Sequence, residues 1–282
     1  MPEQPHWDWE IKTETSWFGV SFKELYSYKD LLLRLTRKEF LGAYQQTLLG
    51  PFWVLLQPLL TTLIYVLVFN TVLKISTGDT PPVLFNLIGI TLWNLFSEVF
   101  LNTTRTFIQN SEVFSKIYFP RLIVALSALW LQLILFSVQL LFLFATYLFF
   151  LLSGRIDVNI THIWMIIPAI ITTAGIGFGA GLIFSILTAK YRDLLALIQL
   201  LIRLLMFVCP IFYTMSMVPK NVKWFVSLNP LSVQFELFRY AFLGEGSISM
   251  LGILYSTTFM VAIVFLGILL FNKMSDKLMD VI

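Results

Sequence analysis

The sequence predicts an all-α integral membrane protein: six transmembrane helices preceded by an amphipathic interfacial helix, with short re-entrant or surface helices on the outer face between spans five and six. Three observations predict it. Hydrophobic residues make up 58% of the 282 and charged residues 12%, against roughly 45–50% and 25% in soluble domains. Several apolar runs reach the ~20 residues that a ~30 Å hydrocarbon core requires of a helix. The charges gather between those runs rather than within them.

The apolar runs fall at 51–73, 83–104, 121–152, 163–187, 194–217 and 250–271. The third is long enough to tilt or to protrude from the lipid. With the N-terminus inside, thirteen of the 19 Lys and Arg fall on the inner side and five (Lys74, Arg155, Lys220, Lys223, Arg239) on the outer, with Arg203 inside a span. By the positive-inside rule both termini are cytoplasmic. The domain reading is a cytoplasmic N-terminal segment with an interfacial helix (1–48), a six-span domain (49–271) and a cytoplasmic tail (272–282). The start shows no basic n-region followed by an apolar h-region, so no cleaved signal is expected.

Before the first span, Leu25, Tyr28, Leu32 and Leu35 share one arc at 100° per residue, opposite Lys23, Asp30, Arg34 and Arg37. That pattern predicts a helix lying in the inner headgroup layer. It runs into Leu49-Gly50-Pro51, where Gly permits a sharp turn and Pro is tolerated at a helix start. Seven residues on, Gln57-Pro58 loosens a hydrogen bond and sets an amide where lipid does not want one. Between spans five and six, segment 222–243 competes as a seventh span. Asn229-Pro230 interrupts it, and Lys223, Glu236 and Arg239 would each cost ~2.5–3.5 kcal/mol at mid-bilayer. Two short helices with a turn at Asn229-Pro230 are expected instead.

The chemistry census excludes several classes. The single Cys209 forbids an internal disulfide or a CxxC site. No G-x-x-x-x-G-K-[ST] loop is present, so no P-loop nucleotide site is expected. His6 and His162 fall on predicted opposite sides. No catalytic residue set, cofactor site, metal site or nucleic-acid partner is expected, and the chain is not read as an enzyme. Gly175/Gly179 and Gly177/Gly181 are small-xxx-small pairs suited to close helix packing. Two ionisable residues remain inside spans, Glu98 and Arg203, and such groups avoid lipid. Either they pair, or Arg203 faces a cavity and meets an anionic substrate group.

Two stretches resemble a known family. KDLLLRLTRKEFLGAYQQTLLGPFWVLLQPLL is similar to the opening of the membrane subunits of type-2 ABC exporters of polysaccharides such as O-antigen and teichoic acid. There an interfacial helix meets the first span through a Leu-Gly-Pro turn followed by W-x-x-x-x-P; the matching residues are Leu49, Gly50, Pro51, Trp53 and Pro58. CPIFYTMSMVPKNVKWFVSLNPLSVQFELFRYAFLG resembles the family's outer segment, with Pro210, Ile211, Tyr213, Val218, Pro219, Asn229 and Pro230 at its motif positions. The resemblance covers about residues 23 to 271; residues 1–20, with Trp7, Trp9 and Trp17, have no place in it.

The resemblance implies an ATP-driven transporter exporting a lipid-linked polysaccharide across a bacterial cytoplasmic (inner) membrane. It implies a homodimer with two copies of a cytosolic ATP-binding subunit, which would use ATP and Mg while this chain carries no cofactor. It implies an inner mouth at Arg34, Arg37, Lys38, Leu49, Gly50, Pro51 and Gln57, where the pyrophosphate of a lipid carrier would meet free amides and basic side chains. It places an ATPase-coupling element in the loop between spans two and three, where Glu112, Phe114, Lys116 and Tyr118 mix aromatics with both charge signs. It places an outer gate at Pro219, Asn229 and Pro230. Aromatics form 16% of the chain and suit sugar C–H faces, so Trp53, Tyr65 and Tyr213 join Arg203 as pathway-lining candidates. Export of teichoic acid, a drug or haem by the same architecture is the near alternative. A secondary transporter would need an internal inverted repeat, and none is evident.

Overall fold

In the computed structural model the described residues are 22–78, 80–110, 119–156, 160–244, 246 and 248–279. Every regular element among them is helical. α1 (Phe22–Ser27) and α2 (Lys29–Tyr44) lead through a 3-10 turn at Gly50–Phe52 into α3 (Trp53–Tyr65), which widens into a π-helical stretch at Val66–Val72. α4 (Pro82–Thr104), the short α5 (Thr106–Gln109) and α6 (Leu122–Leu152) follow. A 3-10 turn at Ile160–Met165 opens α7 (Ile166–Lys190), succeeded by α8 (Leu194–Val208), α9 (Lys220–Leu228), α10 (Pro230–Leu243) and α11 (Met250–Met279).

Five stretches are long and apolar enough to cross a bilayer: Gly50–Val72, Pro82–Thr104, Leu122–Leu152, His162–Lys190 and Met250–Met274. The span expected at 194–217 is not among them. Its helix stops at Val208 after 15 residues, a rise of only ~22 Å. Pro210 is the cause: it cannot donate within a helix, and it pushes the preceding residue out of the α region. Cys209 accordingly sits extended, at ψ 143°. The last helix, by contrast, continues to Met279, beyond the expected boundary at 271.

α4 is the hub. Of its apolar window 78% is buried, against 17% for the first span and 11% for α11, because α3, α6, α7 and α10 all pack on it. The amphipathic arc before the first span exists, but its cover differs from the expectation. Leu35 is buried and Leu25, Tyr28 and Leu32 pack against the core, chiefly along α6. The Thr36 hydroxyl reaches the Ser127 carbonyl at 3.4 Å, while Lys23, Asp30, Arg34 and Arg37 face outward. The helix is therefore bracketed to the bundle through its apolar face, while Tyr26, Leu33 and Leu41 stay exposed.

Segment 222–243 forms two helices broken at Asn229-Pro230, with α10 sunk among α4, α7 and α11. Asn229 caps α10 by accepting from the Leu231 amide at 3.0 Å, and its Nδ2 donates to Cys209 Sγ at 3.2 Å. Ser256, six residues into α11, donates to the Pro230 carbonyl at 2.8 Å, so the hairpin turn lies ~9 Å below the start of α11. The tip of the hairpin thus meets the truncated end of α8. The buried charges of α10 are matched: Arg239 Nη1 pairs with Glu236 Oε1 at 3.0 Å, while Lys223 on α9 is exposed.

The glycine pairs on α7 serve two faces. A Cβ on Gly179 would lie 2.7 Å from the Ile263 and Val264 backbone of α11, and one on Gly181 2.6 Å from Thr103 Cβ on α4. Gly175 would instead meet the flexible Met260 side chain. Gly179→Ala is therefore expected to cost ~1–3 kcal/mol, the usual penalty of overpacking, and Gly175→Ala distinctly less. Thermal unfolding of the detergent-purified variants compares the two; equal losses would refute backbone contact as the reason for Gly179.

Candidate functional site

A polar concavity opens beneath the C-terminal half of α2, between α3, α4 and α6. Its volume is about 480 Å³. Sequence periodicity builds it. Asn94, Glu98 and Asn102 recur every four residues and so occupy one face of α4. Gln132 and Gln139, seven apart, occupy one face of α6. Gln57 with Trp53 contributes from α3, Glu39 and Tyr44 from α2, and Gln109 from α5; all ten line the cleft. Pro58 stands beside Gln57 in the same wall.

Local bonds set the geometry. Asn102 Nδ2 donates to the Glu98 carbonyl at 2.8 Å and to Glu98 Oε2 at 3.1 Å, which holds that carboxylate against α4. Gln132 is only 8% exposed, and the Gln139 Oε1 is buried without a protein partner. Amides at this depth must be matched by water or by a hydroxyl-bearing solute, because hydrocarbon offers no hydrogen bond.

Burial pushes the Glu39 carboxyl up from its ordinary 4.5 to about 7, against the opposing pull of Lys38. The sign follows. A carboxyl raised in the fold favours the protonated native state, so stability is full below pH 4.5 and is lost as pH rises through about 7. A falling thermal midpoint between pH 5 and pH 8 is expected, with Glu39→Gln flattening that slope. An unchanged slope in the variant would assign the pH dependence to another group.

The expected inner-mouth residues fall into two environments. Gln57 and Trp53 line the cleft. Arg34, Arg37 and Lys38 are exposed on α2 and do not line it. At the turn, Leu49 and Pro51 are exposed, and Gly50 has φ +52° with nothing within 4 Å of where a Cβ would stand. The amides there are less free than expected: Gly50 donates to the Thr47 carbonyl at 3.3 Å and Phe52 to the Leu49 carbonyl at 3.1 Å.

Other candidates lie elsewhere. Tyr65 belongs to an aromatic cluster, edge-on to Phe212 at 4.5 Å, with Phe69 stacked on the same ring at 4.5 Å; its hydroxyl reaches Met206 Sδ at 3.7 Å. Tyr213 donates to the Val208 carbonyl at 2.8 Å and so caps the end of α8. Arg203 is exposed on α8, away from the Glu98 wall, and Glu98 bonds Asn102 rather than Arg203. Pro219 is exposed at the start of α9, and Asn229 and Pro230 form the hairpin tip already described. Glu112, Phe114, Lys116 and Tyr118 lie outside the described residues.

Sequence inspection missed Glu39, Tyr44, Asn94, Asn102, Gln109, Gln132 and Gln139. The i, i+4, i+8 spacing around Glu98 was the available signal.

Comparison with known proteins gives a consistent result. The family model described as ABC-2 type transporter matches residues 30–243. Two proteins of Klebsiella pneumoniae, each called O-antigen export system permease protein RfbA, are 28% identical over 254 residues, covering 90% of this chain and 95% of their own. A protein of the same name from Myxococcus xanthus is 24% identical over 211 residues, covering 74% of this chain and 78% of its own.

Proposed function

The chain belongs to the ABC-2 type transporter family, and from that premise we propose that it is the membrane subunit of an ATP-driven exporter of a lipid-linked, O-antigen-like polysaccharide. The observation that carries the proposal is the amide-rich cleft, sunk into the spans at the end where α2 meets α3. It stands in a chain that aligns over nine-tenths of its length with O-antigen export permeases. A purely structural bundle has little use for so many amides gathered in one cleft, with Gln139 Oε1 buried and unpartnered.

Energy is supplied by a separate ATP-binding subunit that uses ATP and Mg, engaged through the loop carrying Glu112, Phe114, Lys116 and Tyr118. Two copies of each subunit form the working unit, and a lipid-linked glycan reaches the cleft past Arg34, Arg37 and Lys38 at the Leu49-Gly50-Pro51 turn. Tyr65, Tyr213 and Arg203 face the onward path between the two copies; Pro219, Asn229 and Pro230 gate its far end. α8 together with residues 209–217 completes a sixth crossing in the bacterial inner membrane, which leaves both termini cytoplasmic. In a Cys209→Ser background, a cysteine at 220 is then expected to react with an impermeant thiol reagent from outside and one at 273 only after permeabilisation. External labelling at 273 would overturn this topology.

The test of function is loss and return of surface glycan. Disrupting the gene should leave lipid-linked glycan accumulating inside the cell, and supplying the chain with its ATPase should restore surface display. Unchanged surface glycan in the disrupted strain would refute the proposal.

A further inference from the structure

The cleft beneath α2 has a donor set that discriminates among glycans. Six carboxamides (Gln57, Asn94, Asn102, Gln109, Gln132, Gln139) line it with the two carboxylates of Glu39 and Glu98, and among its described lining residues there is no lysine or arginine. Lys38 and Arg105 exert their charge on those carboxylates, yet neither lines the cleft. The cationic groups Arg34, Arg37 and Lys38 stand outside it, exposed on α2. Charge is therefore segregated: positive on the surface of α2, while within stand only neutral amides and two carboxyl groups, of which Glu39 ionises as pH rises through about 7.

A second observation points to a ligand. Gln132 is more than nine-tenths buried, lines the cleft, and among the described residues makes no hydrogen bond to protein. Seven residues deeper, on the same face of α6, Gln139 lines the cleft with its Oε1 buried and unpartnered. Each carboxamide offers two N–H donors and two acceptor lone pairs. A sugar hydroxyl both donates and accepts, so it can satisfy both ends of such a group. A phosphate or carboxylate oxygen only accepts, and it would face Glu98 across a low-dielectric space. Trp53, 43% exposed at the wall, adds a flat ring for the C–H face of a pyranose. The volume of about 480 Å³ holds a few sugar units at a time.

We propose that this cleft is a selectivity compartment for uncharged, hydroxyl-rich sugar, that phosphate is held outside it on the cationic face of α2, and that the chain is thereby matched to neutral rather than acidic glycans. The proposal rests on the export function above and narrows its substrate class.

The test uses the full complex with its ATPase in proteoliposomes at pH 8, above the value of about 7 to which Glu39 is raised, and two synthetic probes of equal length. Both sit on the same polyprenyl diphosphate, one with neutral hexose repeats and one with a hexuronate in every repeat. Half-maximal stimulation of ATP hydrolysis should need about tenfold less of the neutral probe, the scale of like-charge rejection at a partly desolvated site. Glu39→Gln with Glu98→Gln should admit the acidic probe and shrink the gap to about twofold or less. Gln132→Leu with Gln139→Leu should weaken the response to the neutral probe but not that to the bare polyprenyl diphosphate. Equal stimulation by both probes in the wild type, or a gap that persists once both carboxylates are neutralised, would overturn the charge selection alone. A complex that answers to neither probe would overturn the export function and this inference with it.

Discussion

Arg239→Ala is expected to destabilise the protein by about 3–5 kcal/mol, the cost of leaving a buried charge without its partner. Arg239 is 2% exposed. Its Nη2 donates to the Pro210 carbonyl at 2.7 Å and to the Ile211 carbonyl at 3.2 Å, its Nη1 to Glu236 Oε1 at 3.0 Å, and its guanidinium lies 4.2 Å from the Phe85 ring centroid. Glu236 Oε1 also accepts from the Met215 amide at 3.2 Å. One side chain thus joins α10 to the irregular 209–215 segment and to α4. Truncating it strands a carboxylate and two carbonyls at once.

The control is the double variant Arg239→Met with Glu236→Leu. It removes both charges and replaces them with apolar volume, a change that is often neutral or stabilising at buried ion pairs. Recovery of most of the lost stability, measured by unfolding in detergent, would assign the penalty to uncompensated charge. A double variant as unstable as Arg239→Ala would assign it to the Pro210 and Ile211 carbonyls instead. Either way, the network explains how two of the charges that argue against a seventh span are accommodated: Glu236 and Arg239 pair within α10, while Lys223 lies exposed on α9.

Much of this architecture was legible because apolar run length and proline position act locally. Pro82, Arg121 and Asn229-Pro230 each mark a helix boundary that the structure keeps to within a residue or two. Pro210 carried the same signal, and the long apolar run through it masked that signal; hydropathy reports transfer to lipid, not whether a backbone can remain helical. What covers α2 was not legible at all. An amphipathic arc records that one face is buried, and the same arc serves a lipid surface or the flank of α6. The cleft was half legible: Gln57 and Trp53 stood out beside Pro58, and Glu98 as an ion in a span. The amides of α4 and α6 did not, because neutral polar residues in a span are cheap enough to pass as packing. Only their convergence in space, which no single helix records, makes them a site.

Gly50→Val is expected to leave abundance near normal and to abolish export. Gly50 holds φ +52° where α2 turns into α3, in the left-handed region that costs an L-residue roughly 1–2 kcal/mol and that β-branched side chains avoid. Gln46, earlier in the same loop, is also left-handed, at φ 71°, so the connection between α2 and α3 is already conformationally expensive. No atom lies within 4 Å of the added Cβ, which means that the valine would fail by redirecting the backbone rather than by collision. That distinction supplies the decisive comparison. Asn tolerates the left-handed conformation, so Gly50→Asn should retain most export despite its larger side chain. Surface glycan and membrane abundance, measured together for Val, Ala and Asn at this position, separate the two causes. Export ranked by side-chain size would make the open space around Gly50 the requirement, as for a lipid headgroup passing close to the backbone. Export ranked by left-handed propensity, with Asn above Ala and Ala above Val, would make it the turn itself, which sets the angle at which the cationic face of α2 meets the mouth of the cleft.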